Sequence, residues 1–110
     1  MDKKPDYKKV KKFVQDFAHR LKDEIEIEKV VLFGSYAKGI ASVESDVDIV
    51  IISPDFAKMD TWQRFKVLDK AYQDYTYEVE YFGFTPREFG KASPLTALGE
   101  IKRTGMVIPI

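Results

Sequence analysis

The strongest constraint on this chain is a pair of short apolar runs, one ending in a small-residue turn and the other opening on two carboxylates. Val30-Val31-Leu32-Phe33 stops at Gly34-Ser35, and after ten intervening residues Asp46-Val47-Asp48 leads into Ile49-Val50-Ile51-Ile52. Runs this short and this rich in β-branched residues read as buried strands. Side chains alternate along a strand, so Asp46 and Asp48 leave one face with Cα atoms about 6.5 Å apart. Gly34 lets the backbone turn tightly and aim free N–H groups at an anion. Two carboxylates so spaced suit Mg²⁺, a hard cation that prefers oxygen ligands. The pattern predicts a phosphate cradle beside a metal site.

The rest of the chain supplies elements to surround those strands. Tyr7, Val10, Phe13, Val14, Phe17 and Leu21 recur at helical spacing, and Pro5 is placed for an early helical position. The first strand is expected over Lys29–Phe33, and Ser35 is positioned to cap a short helix over Tyr36–Lys38 that Gly39 ends. Asp60 and Gln63 form a capping-box pattern ahead of a long helix whose predicted buried stripe is Trp62, Phe65, Leu68, Tyr72 and Tyr75. A third strand over Tyr77–Phe84 would place Glu78, Glu80 and Phe82 on one face and Val79 and Tyr81 on the other. Thr85-Pro86-Arg87-Glu88 and Ser93-Pro94 each read as a helix start, the second carrying Leu95, Leu98 and Ile101 inward. Met106–Ile110 would add a short last strand. Alternating strands and helices in 110 residues predict a single α/β (α+β) domain spanning 1–110, with a small mixed sheet of three to four strands and helices packed on it.

Composition narrows the chemistry further. Eighteen basic residues balance eighteen acidic ones, which gives no strong nucleic-acid signal; the lysines at 3, 4, 8, 9, 11 and 12 read as a solvated helix face. The absence of cysteine excludes disulfides, thiolate metal sites and cysteine nucleophiles. No run approaches a membrane span and the lysine-rich start lacks a signal-peptide core, so a cytoplasmic location is expected. Gly34 to Gly39 has the glycine spacing of a P-loop, but Ile40-Ala41 stand where Lys-Ser/Thr should follow. A calcium loop fails too, for want of the glycine and terminal glutamate after Asp48. His19, between Ala18 and Arg20 on a helix, reads as structural.

Taken together, Gly34-Ser35-Tyr36-Ala37-Lys38-Gly39 and Ser45-Asp46-Val47-Asp48-Ile49-Val50 resemble the signature of the minimal nucleotidyltransferases, small members of the DNA polymerase beta-like superfamily. The resemblance runs from about Val30 to the end, through Tyr77-Glu78-Val79-Glu80-Tyr81-Phe82 and Thr85-Pro86-Arg87-Glu88-Phe89. It implies a nucleotidyltransferase core and transfer of a nucleotidyl group, AMP from ATP, to a hydroxyl acceptor. It also implies that Asp46, Asp48 and a third acid are catalytic and hold two Mg²⁺ ions. That acid is Glu80, with Glu78 as the alternative; the family more often has aspartate there. Gly34, Ser35 and Lys38 would bind the nucleotide.

Small relatives are often paired with HEPN-domain toxins, so the resemblance further implies an antitoxin that modifies a tyrosine or serine of its partner. The alternatives are a non-catalytic module that binds a nucleotide or neutralises a partner by contact, and a catalytic subunit acting on a small molecule such as an aminoglycoside. Self-association stays open.

Overall fold

A computed structural model of the chain describes residues 4–110. Of the lysine cluster, Lys3 lies outside the described residues, and Lys8, Lys9, Lys11 and Lys12 are exposed on the first helix as a solvated face requires.

Helix α1 (Tyr7–Leu21) begins two residues after Pro5, which lies outside it. Asp6 is its N-cap, and its carboxylate accepts hydrogen bonds from the Lys8 and Lys9 amides. The predicted stripe of α1 is buried from Val10 to Leu21, whereas Tyr7 stands at the edge, 40% exposed. Strand β1 (Lys29–Phe33) pairs antiparallel with β2 (Val47–Ile52), and β2 pairs parallel with β3 (Val79–Phe84). A two-residue strand β4 (Met106–Val107) adds antiparallel to the other side of β1, giving the order β3-β2-β1-β4.

Both faces of the central strands are covered, which explains why β1 and β2 read as unbroken apolar runs rather than alternating ones. On one face Val30, Leu32, Val47, Ile49 and Ile51 pack under α1 and α2 (Thr61–Ala71). On the other, Val31, Val50 and Ile52 meet Phe33, Phe84, Phe89 and Ile101 in a smaller cluster. Each fully buried Val, Leu, Ile or Phe contributes about 1.5–3 kcal/mol, so the larger layer dominates the stability of the fold. Both capping boxes form. Asp60 and Gln63 open α2, and Thr85 and Glu88, with Pro86 first, open α3 (Pro86–Gly90).

Three expectations are corrected. In α2 only Leu68 is fully buried among the stripe residues; Trp62 is 63% exposed, Phe65 41% and Tyr75 75%. The helix lies over the edge strand β3, with open space beyond it for the outer aromatics. Second, the segment after Gly34 is a hydrogen-bonded turn and not a helix. The Lys38 amide donates to the Gly34 carbonyl at 3.1 Å and the Ile40 amide to that of Ser35 at 3.1 Å. Gly34 and Gly39, at φ +71° and +73°, bracket it. Third, the last helix, α4 (Ala97–Thr104), is capped by Thr96 instead of Ser93, and Leu95 is 95% exposed. Residues 93–96 fold into a turn, with the Thr96 amide donating to the Ser93 carbonyl at 3.0 Å. No helix among the described residues is long and apolar enough to cross a membrane.

Candidate active site

Strand register brings the glycine turn and the acids together. In the antiparallel ladder Phe33 faces Asp48, so the residue after the end of β1, Gly34, lies beside the start of β2. In the parallel ladder Asp48 faces Glu80. Residues directly opposite in adjacent strands project to the same side. Phe33, Asp48 and Glu80 therefore share one face at one end of the sheet, opposite the face that α1 and α2 cover. The contact at Gly34 is close: a Cβ there would stand 2.2 Å from Asp48 Oδ2.

Asp48 is the electrostatic centre of the cluster. Its carboxyl is pushed up to about 6, first by burial, then by a hydrogen bond with Glu80 and by the negative charges of Glu80 and Asp46. Oδ1 of Asp48 is buried and has no hydrogen-bond partner. No cationic side chain forms an ion pair with Asp46, Asp48 or Glu80 among the described residues. A buried oxygen without a donor, set among like charges, is the environment that a hard divalent cation relieves, and an all-carboxylate donor set fits Mg²⁺. The acids do not form a finished cage. Among the described residues no three are gathered closely enough to count as a preformed metal cluster.

The remaining expected residues fall around this centre. Asp46 is exposed and stands just before β2, which starts one residue later than the sequence pattern suggests. Glu78 also precedes its strand; its carbonyl accepts from the Val47 amide at 2.8 Å, and its charge acts on the Tyr72 hydroxyl. Glu80, and not Glu78, is thus the acid that stands opposite Asp48 in the ladder. Ser35 is half-buried in the turn, and Lys38 is exposed on it with no carboxylate partner among the described residues.

Two features escaped sequence reasoning. Tyr7 reads as the first residue of a core stripe, yet its hydroxyl donates to the Tyr36 carbonyl at 3.1 Å and its ring meets that of Tyr36 edge-on at 5.8 Å. Helix α1 thereby braces the Gly34–Gly39 turn. Phe33 and Phe82, with ring centroids 6.3 Å apart, form an apolar floor beside the acids. Strand alternation could have found this pair once the register was known.

Comparison with known proteins gives the family and the fold. Over 63 residues the chain is 35% identical to a Methanocaldococcus jannaschii protein named "Putative protein adenylyltransferase MJ0141", and over 43 residues 44% identical to "Putative protein adenylyltransferase MJ0604" of the same organism. These stretches cover 57% and 37% of this chain and only 62% and 43% of those relatives. Among solved structures, a "putative nucleotidyltransferase" from Sulfolobus solfataricus superposes with TM-score 0.69 at 17% identity, covering 90% of this chain and 78% of that one. A toxin–antitoxin crystallised with AMP-PNP gives TM-score 0.58 at 21% identity, over 86% and 71% of the two chains. A mutant of the toxin–antitoxin MntA–HpeT gives 0.55 at 18%, over 86% and 70%. The family model of the nucleotidyltransferase domain matches residues 9–93, well over half the chain and every acid of the site, and the chain belongs to that family.

Proposed function

We propose that this chain transfers AMP from ATP to a hydroxyl group of a partner protein in a Mg²⁺-dependent reaction that breaks the α–β phosphoanhydride bond and releases pyrophosphate, and that the partner is the HEPN-domain toxin of a toxin–antitoxin pair. The observation that carries the proposal is the position of Asp48, held against the Gly34 bend on one side and Glu80 on the other, with one oxygen buried and unpartnered. The names of the relatives support protein adenylylation, and two structural neighbours are toxin–antitoxin assemblies, one of them crystallised with AMP-PNP.

In this reading the Gly34–Gly39 turn receives the β and γ oxygens of the triphosphate on its amides and the Ser35 hydroxyl, and Lys38 adds positive charge from the exposed side. Asp46, Asp48 and Glu80 would hold the cations. Bound Mg²⁺ would polarise the reacting phosphate and lower the pKa of the acceptor hydroxyl. The acids keep those charges fixed between turn and acceptor, and Phe33 and Phe82 keep the cleft floor apolar, which strengthens electrostatic effects above it.

The test is incubation with ATP labelled on its α-phosphate, Mg²⁺ and the protein encoded by the adjacent gene. Label should appear on that protein and disappear with the double variant Asp46→Ala/Asp48→Ala. No transfer by the wild type, or equal transfer by the double variant, overturns the proposal.

A further inference from the structure

Strand β3 lies at an edge of the sheet, and its outward backbone groups have a definite pattern. The amides of Val47 and Ser53 in and beside β2 bond the carbonyls of Glu78 and Phe84. By alternation Glu78, Glu80, Phe82 and Phe84 turn their main-chain groups toward β2, and Val79, Tyr81 and Gly83 turn theirs outward. The outward carbonyl of Gly83 is taken by Arg64 Nη1 at 3.1 Å. Among the described residues nothing pairs with the outward N–H and C=O of Val79 and Tyr81. A bare edge of this kind is a template for another extended backbone.

The surroundings of the edge suit such a guest. A cavity of about 270 Å³ runs along it between β3 and α2, lined by Phe65, Leu68, Tyr81, Phe82, Gly83 and Phe84 among others. Phe82 is 44% exposed and Phe65 41%, large apolar surfaces that a packed neighbour would cover. The edge is also continuous with the acid cluster, because Glu80, opposite Asp48 in the parallel ladder, belongs to the same strand and projects from the face that carries Phe82.

We propose that the acceptor enters as an extended polypeptide segment that adds to the outer edge of β3 and pairs with Val79 and Tyr81. This inference rests on the transfer reading and specifies how its protein substrate is presented. A residue of the guest strand opposite Glu80 projects to the acid face about 5 Å away, which brings its hydroxyl to the acid cluster. The residue two positions along projects beside Phe82 and is best apolar. Arg64, occupying the Gly83 carbonyl, ends the pairing and fixes its length. The acceptor motif is therefore a hydroxyl residue and an apolar residue two apart in an extended, proline-free segment.

The test uses an immobilised array of peptides about ten residues long, each with a central tyrosine, incubated with the full chain, Mg²⁺ and ATP labelled on its α-phosphate. Labelled peptides should share an apolar residue two positions from the tyrosine and lose the label when proline replaces a neighbour of the tyrosine. Val79→Pro removes one outward N–H without touching the β2 ladder, and Phe65→Lys, on α2 and away from the acid face, removes apolar cover from the groove. Each should lower peptide labelling by about tenfold, while circular dichroism and Mg·ATP affinity stay close to wild type.

Labelling without positional preference, or unchanged labelling by both variants, overturns the docking mode. So does a chain that sediments as a dimer and becomes monomeric with Val79→Pro, since a second copy would then cover the edge. If Mg·ATP binds but no peptide is labelled, the docking mode fails and the transfer reading survives. If Mg·ATP does not bind, the transfer reading itself fails.

Discussion

Gly34 and Asp48 approach so closely that a Cβ on the glycine would stand 2.2 Å from the carboxylate Oδ2. The glycine is needed twice over at this position, since its φ of +71° is one that other L-residues adopt at a cost of about 1–2 kcal/mol. Gly34→Ala forces either the turn or the Asp48 side chain to move. The expected outcome is a Kd for Mg·ATP raised by about tenfold or more, equivalent to about 1.4 kcal/mol, in a protein that still folds. Fluorescence titration with a labelled ATP analogue, beside a thermal melt, separates the binding loss from general destabilisation.

Asp48 also sets a pH dependence for the metal-free protein. Its carboxyl sits at about 6 in the folded chain, raised by burial, by the hydrogen bond with Glu80, and by the charges of Glu80 and Asp46. An unfolded aspartate titrates near ~3.9, so between these values the native state binds the extra proton and stability falls as pH rises. The contribution is fully present below about pH 4 and is lost by the time pH passes about 6. Discounted for the partial exposure of the site, the loss is about 1–2 kcal/mol. Asp48→Asn should therefore raise the melting temperature at pH 7 by several degrees and have little effect at pH 4, as scanning calorimetry in chelator will read. Added Mg²⁺ should raise the wild-type melting temperature and leave that of the variant nearly unchanged.

The elements of this fold and site were legible in the sequence to the extent that local chemistry dictates them. The capping residues Asp60/Gln63 and Thr85/Glu88, the β1 run and the stripe of α1 are written in spacing alone, and the structure has them. Strand alternation put Glu78 and Glu80 on one face but could not choose between them. That choice lies in the β2–β3 register, a tertiary fact that places Glu80 opposite Asp48. The aromatic spacing of α2 suggested a wide buried stripe, yet helical period reports only a shared face. How much of that face is covered depends on what lies beneath it, and α2 sits over an edge strand. Thr96 displaced Ser93 as the cap of the last helix because the Ser93 carbonyl is used to close the preceding turn.

Arg64 holds the β3 edge and the start of α3 to the rest of the domain. Its side chain, 16% exposed, donates to the carbonyls of Phe56, Met59 and Gly83 and to the Glu88 carboxylate at 2.8–3.1 Å. The carbonyls of Met59 and Gly83 lose their donor in Arg64→Ala, whereas that of Phe56 keeps the Met59 amide, and acceptors left unsatisfied are costly. The expected destabilisation is about 2–4 kcal/mol, measured by urea unfolding at unchanged m-value. Arg64→Lys should recover only a minor part, because an ammonium group cannot reproduce the planar fork that reaches these acceptors together.

Tyr7 offers the sharpest distinction between folding the domain and shaping its Gly34–Gly39 turn. Its hydroxyl reaches the Tyr36 carbonyl, while its ring, edge-on to Tyr36, supplies packing that does not depend on the hydroxyl. Tyr7→Phe keeps the ring and removes one hydrogen bond worth about 1 kcal/mol, so the melting temperature should change little. The turn, however, loses its brace to α1. Amide exchange should quicken at Lys38 and Ile40, whose N–H groups close the turn onto Gly34 and Ser35. Mg·ATP affinity should fall by about fivefold. If exchange at those two amides is unchanged while Tyr7→Ala lowers only the melting temperature, Tyr7 is a packing residue and α1 plays no part in ordering the turn.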